Sequence, residues 1–250
     1  MEGPEKVKVN DSRATQGSAR LDPTLVANLP PFSRLSPQQI REVVRRAIVR
    51  HRSPGSAFYF EGDEAENFFL LLDGYVRVLR VTKDGEQVNV LHVPPGQLFG
   101  IAKVLSRTTY PATAEAAAEC LALSWPVAIW DEFAHDYPDF LTETYRTVGK
   151  RMSEINDQLV AMATMQVEQR VANSLLKLSN QAGREVPEGI EINFPITRQE
   201  ISEMTGTTLH TVSRLLSAWE RSGIVANARK RVVIRRPHDL VNLAEATSTD

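Results

Sequence analysis

The chain has 250 residues, 42% of them hydrophobic and 24% charged, with a formal net charge of −2. That length supports two modest domains, each able to bury its own core. Cys120 is the single cysteine, which excludes an internal disulfide, a cysteine-ligated iron–sulfur cluster and a multi-thiolate zinc site. No stretch approaches the ~20 apolar residues of a membrane span, and the N-terminus lacks the apolar core of a secretory signal. The expectation is a cytoplasmic protein with no membrane partner.

Residues 1–20 are polar and charged with almost no apolar content, and read as a disordered arm. Short helices are expected over 22–29 and 36–49. The second starts at Ser36-Pro37, an N-cap followed by proline at the first helical position, and carries Ile40, Val43, Val44 and Ala47 on one face. From His51 to Trp130 short apolar runs are punctuated by Gly55, Gly62, Gly74, Gly85 and Gly96. This is the rhythm of an all-β sandwich or barrel. Phe68-Phe69-Leu70-Leu71-Leu72 reads as a buried strand ending at Asp73-Gly74. Residues 75–81 alternate with period two, Lys83-Asp84-Gly85 is a hairpin turn, and 87–92 return. A jelly roll closes so many short antiparallel strands. Within it, Cys120-Leu121-Ala122-Leu123 makes the cysteine a small buried apolar residue.

After Pro138 the period changes to a heptad. Leu141, Tyr145, Val148, Met152, Ile155, Leu159 and Met162 recur at alternating spacings of four and three. Arg146, Lys150, Arg151, Glu154, Asp157 and Gln158 lie off that stripe. A narrow seam on one long helix is most simply covered by a second copy, which predicts a homodimer.

Residues 168–179 form another amphipathic helix. Thr197 with Glu200 three residues on is a capping box, so a helix begins there and runs to Gly206. Thr207 or Thr208 caps a second helix with Val212, Leu215, Leu216 and Trp219 on one face, stopped by Gly223. Two short helices about a glycine turn are the helix-turn-helix pattern. Ile224-Val225-Ala226 and Val232-Val233-Ile234 read as a two-stranded wing. Between Thr197 and His238 there are eight Lys/Arg against three Asp/Glu. A local positive surface on a weakly acidic chain is what phosphate binding requires, so double-stranded DNA is the expected partner.

The run from Ile196-Thr197-Arg198-Gln199-Glu200-Ile201 to Thr211-Val212-Ser213-Arg214-Leu215-Leu216 resembles the CRP/FNR family of bacterial transcription regulators. Order and spacing agree over nearly the whole chain. The resemblance implies an α+β fold: a jelly roll of the cyclic-nucleotide-binding type over 21–137, a dimerisation helix over 138–165, a winged helix-turn-helix over 166–240 and a flexible tail over 241–250. It implies that Arg214 reads guanine, a pairing that suits bidentate arginine. Arg198 and Gln199 match phosphate-holding positions. Thr207 and Thr208 stand ready for further phosphates at the helix N-terminus, where Leu209, His210, Thr211 and Ser213 complete the contact set. His210 stands where many relatives have glutamate four residues before the arginine, so the half-site differs from theirs. The segment from Thr208 to Arg214 is similar to the nitric-oxide-responsive denitrification regulators. A regulator of this family acting as an activator would also contact RNA polymerase.

In the cyclic-AMP-binding members a glutamate and an arginine grip the nucleotide. Here Phe99-Gly100 is followed by Ile101, and the later stretch reads Tyr110-Pro111-Ala112-Thr113-Ala114. A buried cyclic phosphate would lack its cation, which argues against cyclic AMP. Leu98, Phe99, Gly100, Ile101 and Tyr110 instead suggest a pocket for an apolar guest. Haem is the sharpest candidate, with His51 and His92 as the imidazoles of the β-domain; the other option is a degenerate pocket, with regulation by protein level alone. A rival of another class, a cupin-like metal-binding barrel, would need clustered histidines, and no His-x-His occurs. Nothing in the pattern suggests an enzyme.

Overall fold

The structure, a computed structural model, describes residues 22–82 and 87–246. The N-terminal arm and the Lys83-Asp84-Gly85 turn lie outside the described residues. Two 3-10 turns, Pro23–Leu25 and Pro30–Phe32, replace the helix expected over 22–29. Pro30 disfavours helical geometry at the residue before it, and Leu29 is extended at φ −75° and ψ 144°. Helix α1 (Pro37–Arg45) opens on a complete capping box, in which Ser36 Oγ accepts from Gln39 N and Gln39 Oε1 accepts from Ser36 N. It ends at Arg45 rather than Val49. Ile48 and Val49 enter strand β1 (Ile48–Arg52), where they pair with Ser124 and Leu123. Tertiary pairing of β-branched residues overrides the helical pattern there.

The following strands are β2 (Ala57–Tyr59), β3 (Asn67–Asp73), β4 (Val76–Val81), β5 (Gln87–Val93), β6 (Leu98–Phe99), β7 (Thr113–Ala116) and β8 (Cys120–Pro126). They form two antiparallel sheets, ordered β1-β8-β3-β6 and β2-β7-β4-β5. Phe58, Phe69, Leu71, Val76, Val93, Phe99 and Ala122 fill the space between the sheets. The pleat turns alternate residues of β3 and β8 outward. There Phe68, Leu70, Leu123 and Trp125 pack against α1 and the helices α2 (Trp130–Asp136) and α3 (Pro138–Thr164). Trp125 Nε1 donates to the Val43 carbonyl at 2.9 Å, which satisfies the indole donor of this fully buried ring. Cys120 is buried, and its Sγ donates to the Tyr75 carbonyl at 3.2 Å.

Helix α4 (Val167–Ala182) leads into a hairpin that the sequence reading lacks, β9 (Gly183–Val186) and β10 (Gly189–Ile192). Helices α5 (Arg198–Thr205) and α6 (Leu209–Arg221) follow, then strands β11 (Val225–Ala228) and β12 (Arg231–Ile234). The wing is thus half of a four-stranded sheet, ordered β11-β12-β10-β9. Helix α7 (Pro237–Glu245) packs on α4 through Leu240 and Ala244, so residues 241–245, expected as tail, are helical. Their apolar spacing at Leu240, Leu243 and Ala244 follows one helical face.

Candidate DNA-reading face and sensor interior

The helix-turn-helix is built from its caps. Thr197 Oγ1 accepts from Glu200 N at 3.1 Å, while Glu200 Oε2 accepts from Thr197 N at 2.6 Å. Helix α5 ends on Gly206 at φ +58°, where a side chain would be strained and would press on Met162 of α3. Thr208 is the N-cap of α6, its Oγ1 accepting from Thr211 N at 3.1 Å. Val212, Leu216 and Trp219 bury one face of α6 against α4 and the wing sheet. The opposite face carries exposed His210 and Arg214, one turn apart, with half-buried Thr211 and Ser213 beside them. Leu209 is exposed at the first helical position. A capped helix N-terminus aims its free N–H groups and positive dipole end outward.

Charge on this domain is unevenly available. Arg231 is tied to Glu191, and Arg236 to the Ser222 carbonyl and Asp239. Arg214 has no ion pair among the described residues, so its fork is free for a base edge. Arg198 is half-buried at the start of α5. Gln199 is exposed and donates to Glu203 at 2.9 Å. Thr207 and Thr208 flank the turn between the two helices.

Helix α5 is also gripped from behind, which the sequence did not reveal. Arg77 of β4 donates to Glu200 at 2.6 Å and to Glu115 of β7. Burial pushes the Glu200 carboxyl up, but hydrogen bonds from Arg77 and Thr197 outweigh it and hold its pKa below the usual range. Asn89 N donates to Glu203 at 3.1 Å, Gln158 of α3 donates to the Met204 carbonyl at 2.6 Å, and Tyr75 stacks on Phe194 at 4.2 Å. Glu200 therefore does two jobs, capping α5 and anchoring it to the β-domain. The capping pattern was visible in the sequence, but the Arg77 partner lies 123 residues away.

The five sensor residues are distributed among separate packing groups. Leu98 and Ile101 join the helix-facing core and Phe99 the inter-sheet core, while Tyr110 packs with Ala65, Ala102 and Tyr59. Gly100, at φ +67°, lets the chain pass close to Phe69 and Tyr59, which a Cβ would meet. Tyr59 stacks on Tyr110 with ring centroids 3.7 Å apart, and Tyr110 Oη donates to the Asn67 carbonyl at 2.6 Å. The chain's own rings occupy the interior beside Phe99.

Neither histidine serves that interior. Leu91 and Val93 point into the inter-sheet core, so His92 between them points out. Its ring meets Asn89 at 2.9 Å and lies against Phe194, and burial pushes its pKa down to about 4. His51 is exposed on β1. These residues do not fit an axial haem ligand directed at Phe99 and Tyr110. Among the described residues no group of three or more His, Cys, Asp or Glu is placed to hold a metal, which removes support from the cupin-like reading. No helix among them is long and apolar enough to cross a membrane.

Comparison with known proteins agrees with this architecture. Residues 49–137 match the cyclic nucleotide-binding domain model, and residues 169–243 match the Crp-like helix-turn-helix domain model; together they cover well over half the chain. The global nitrogen regulator of Synechococcus elongatus is 27% identical over 187 residues, covering 73% of this chain and 83% of the relative. The fumarate and nitrate reduction regulatory protein of Yersinia pestis is 24% identical, covering 79% and 80%. A solved CRP-family transcriptional regulator of Thermus thermophilus superposes with a TM-score of 0.68 at 26% identity, over 79% of this chain and 97% of that one. FixK2 of Bradyrhizobium japonicum, at 23% identity and a TM-score of 0.69 over 81% and 99%, shares the fold. These relatives are regulators rather than enzymes. With a β-domain of the cyclic-nucleotide-binding type, one long helix and a capped helix-turn-helix in that order, the chain belongs to the CRP/FNR family of transcription regulators.

Proposed function

We propose that this regulator binds a near-palindromic operator as a homodimer, under control of an effector other than cyclic AMP. The observation that carries the DNA-reading part is the face of α6. Arg214 is exposed and free of ion pairs among the described residues, His210 stands one turn before it, and the Thr208 cap ends the helix beside them. Arginine offers a bidentate donor pair to guanine, and a neutral imidazole one turn away can donate or accept at a neighbouring base. Arg198, Gln199, Thr207 and Thr208 supply the phosphate contacts that set register, with Leu209, Thr211 and Ser213 at the base edges.

Dimerisation is supported by the stripe on α3. Tyr145, Met152, Ile155 and Leu159 are exposed, with Met152 at 68% and Leu159 at 61%. The other side of the helix is committed to its own chain through Phe140, Thr144, Arg151 and Gln158. A row of large apolar side chains at heptad spacing is covered most simply by the same helix of a second copy. The segment from Thr208 to Arg214 favours a half-site different from that of glutamate-bearing relatives. A role as an activator, with RNA polymerase as a further partner, fits the family. The test is selection of binding sites from a random duplex library by the full-length protein. Recovery of inverted repeats with a shared guanine in each half supports the reading, and unrelated or single half-sites overturn it.

A further inference from the structure

Helices α3 and α4 meet at Met165 and Gln166. Both residues are extended, Met165 at φ −103° and ψ 148° and Gln166 at φ −66° and ψ 155°, so the long helix is broken there before α4 begins. One arginine ties this joint to the helix-turn-helix. Arg170 Nη1 donates to the Met165 carbonyl at 2.8 Å, and Arg170 Nε donates at 2.8 Å to the carbonyl of Thr205, the last residue of α5.

Thioether sulfur gathers around the joint. The chain has five methionines, and Met162, Met165 and Met204 stand here. Met165 is 38% exposed. Its Sδ accepts from Asn173 Nδ2 at 3.6 Å, and the same amide reaches the Ala244 carbonyl of α7 at 3.5 Å. Met162, one turn earlier, packs on Gly206 in the turn between α5 and α6, where a Cβ would lie 3.4 Å from its Sδ. Met204 precedes that glycine by two residues, and its carbonyl accepts from Gln158 of α3. Met165 lies beyond the end of α3 and off its heptad stripe, so a second copy seated on that stripe need not cover it.

A thioether is a weak acceptor, whereas a sulfoxide is polar, chiral and a strong one. Asn173 already points an amide donor at the Met165 sulfur. The 3.6 Å between them is too short for an S–O bond and an ordinary N–H···O bond placed end to end. An oxygen on this sulfur therefore gains a donor only if the Met165 side chain moves away from Asn173. That motion acts on the residue whose carbonyl Arg170 shares with the end of α5.

We infer that Met165 is a site of reversible oxidation by hydrogen peroxide, and that its sulfoxide loosens the seating of α5 and α6. The sulfur lone pair attacks one peroxide oxygen. The S–O bond forms as the O–O bond breaks, the sulfur gives up two electrons, and the second oxygen leaves as water with both protons. The effect on DNA rests on the operator reading, but the oxidation and the loosening do not, because both are measured without DNA.

The test treats the full chain with hydrogen peroxide, quenches with free methionine and follows three readouts. Peptide mass spectrometry should find the sulfoxide at Met165. Amide exchange over 198–205 should rise, and a methionine sulfoxide reductase should reverse both changes. Operator affinity in mobility shifts should fall at least about fivefold, the lower end of ordinary coupling between sites. Met165→Leu should bind DNA before treatment as the wild type does and lose the peroxide response. Met165→Gln, polar and of similar length, should show the faster exchange with no oxidant. An unoxidised Met165 overturns the proposal, as does a peroxide response retained in Met165→Leu. Wild-type exchange in both the sulfoxide form and Met165→Gln overturns it as well. Faster exchange in a protein that binds no operator in either state supports the oxidation site and counts against the operator reading instead.

Discussion

Nη1 of Arg77 lies 2.6 Å from the Glu200 carboxylate, so one ion pair joins a strand of the β-domain to the first helix of the helix-turn-helix. Glu115 holds the other side of the same guanidinium. Allostery needs two sites and an element whose placement both can bias. Helix α5 is such an element here, because its N-terminal carboxylate is shared between a cap and the β-domain.

Glu200→Gln tests that link cleanly, since glutamine still closes a capping box while the charge is lost. The expected cost is about 1–2 kcal/mol in urea unfolding, with Arg77 partly exposed and the pair therefore partly screened. Arg77→Met should cost more, because it leaves two carboxylates without their cation. A double-mutant cycle between the two substitutions should show coupling, and strict additivity would mean that the pair does not hold the domains together.

Arg214→Ala should remove discrimination of the cognate site at a cost of ~1–3 kcal/mol per half-site while leaving non-specific affinity in place. Arg198→Ala should weaken all duplexes alike and flatten the salt dependence. Competition mobility shifts across a range of salt concentrations separate the two behaviours. Full specificity in Arg214→Ala would remove α6 as the recognition helix.

Ile155→Glu should yield monomers that bind the operator poorly, because dimerisation would then bury two unpaired carboxylates in the α3 seam. Light scattering at micromolar concentration measures this directly. A wild type that is already monomeric there would leave the exposed stripe from Tyr145 to Leu159 without its proposed cover.

His92 predicts a pH dependence of definite sign. Its folded pKa lies near 4, below the ordinary 6.5, because the ring is enclosed beside Phe194 and Asn89. The groups acting on it electrostatically are Glu200, which favours the proton, and Arg77 and Lys177, which oppose it. Between those two pH values the unfolded chain binds the proton and the folded chain does not, so stability should fall as pH drops from about 6.5 towards 4. Glu200, held low, adds a further loss as the pH falls through its own folded range. Thermal melts of His92→Gln should show a shallower slope in the upper window and the same loss below it. A wild-type melting temperature unchanged from about pH 7 to about pH 5 would contradict the enclosed ring.

The local elements were legible because short-range chemistry determines them. The Ser36-Pro37 helix start, the Thr197 box with Glu200, the Asp73-Gly74 turn and the heptad on α3 all appear as fixed spacings of a few residues. The end of α1 was misread because Ile48 and Val49 fit a helical face equally well until β8 supplies a partner. The β9–β10 hairpin carried no strong signal, since Gly183-Arg184-Glu185-Val186 is short and mostly exposed.

By itself the sequence determined the order of domains, the caps and turn of the helix-turn-helix, the exposed cations of α6 and the stripe on α3, because each rests on periodicity or on side chain to backbone bonds within one turn. Only the tertiary structure decided which charges are free. Arg231 and Arg236 are spent inside the domain, Arg77 is spent on Glu200, and Arg151 is carried into the protein with its Nε unpartnered. It likewise filled the space beside Phe99 with Tyr59, a residue 51 positions from the Tyr110 on which it stacks. The reason is the same in each case: burial and ion pairing are settled by groups far apart in the chain, and no local spacing records which of them will meet.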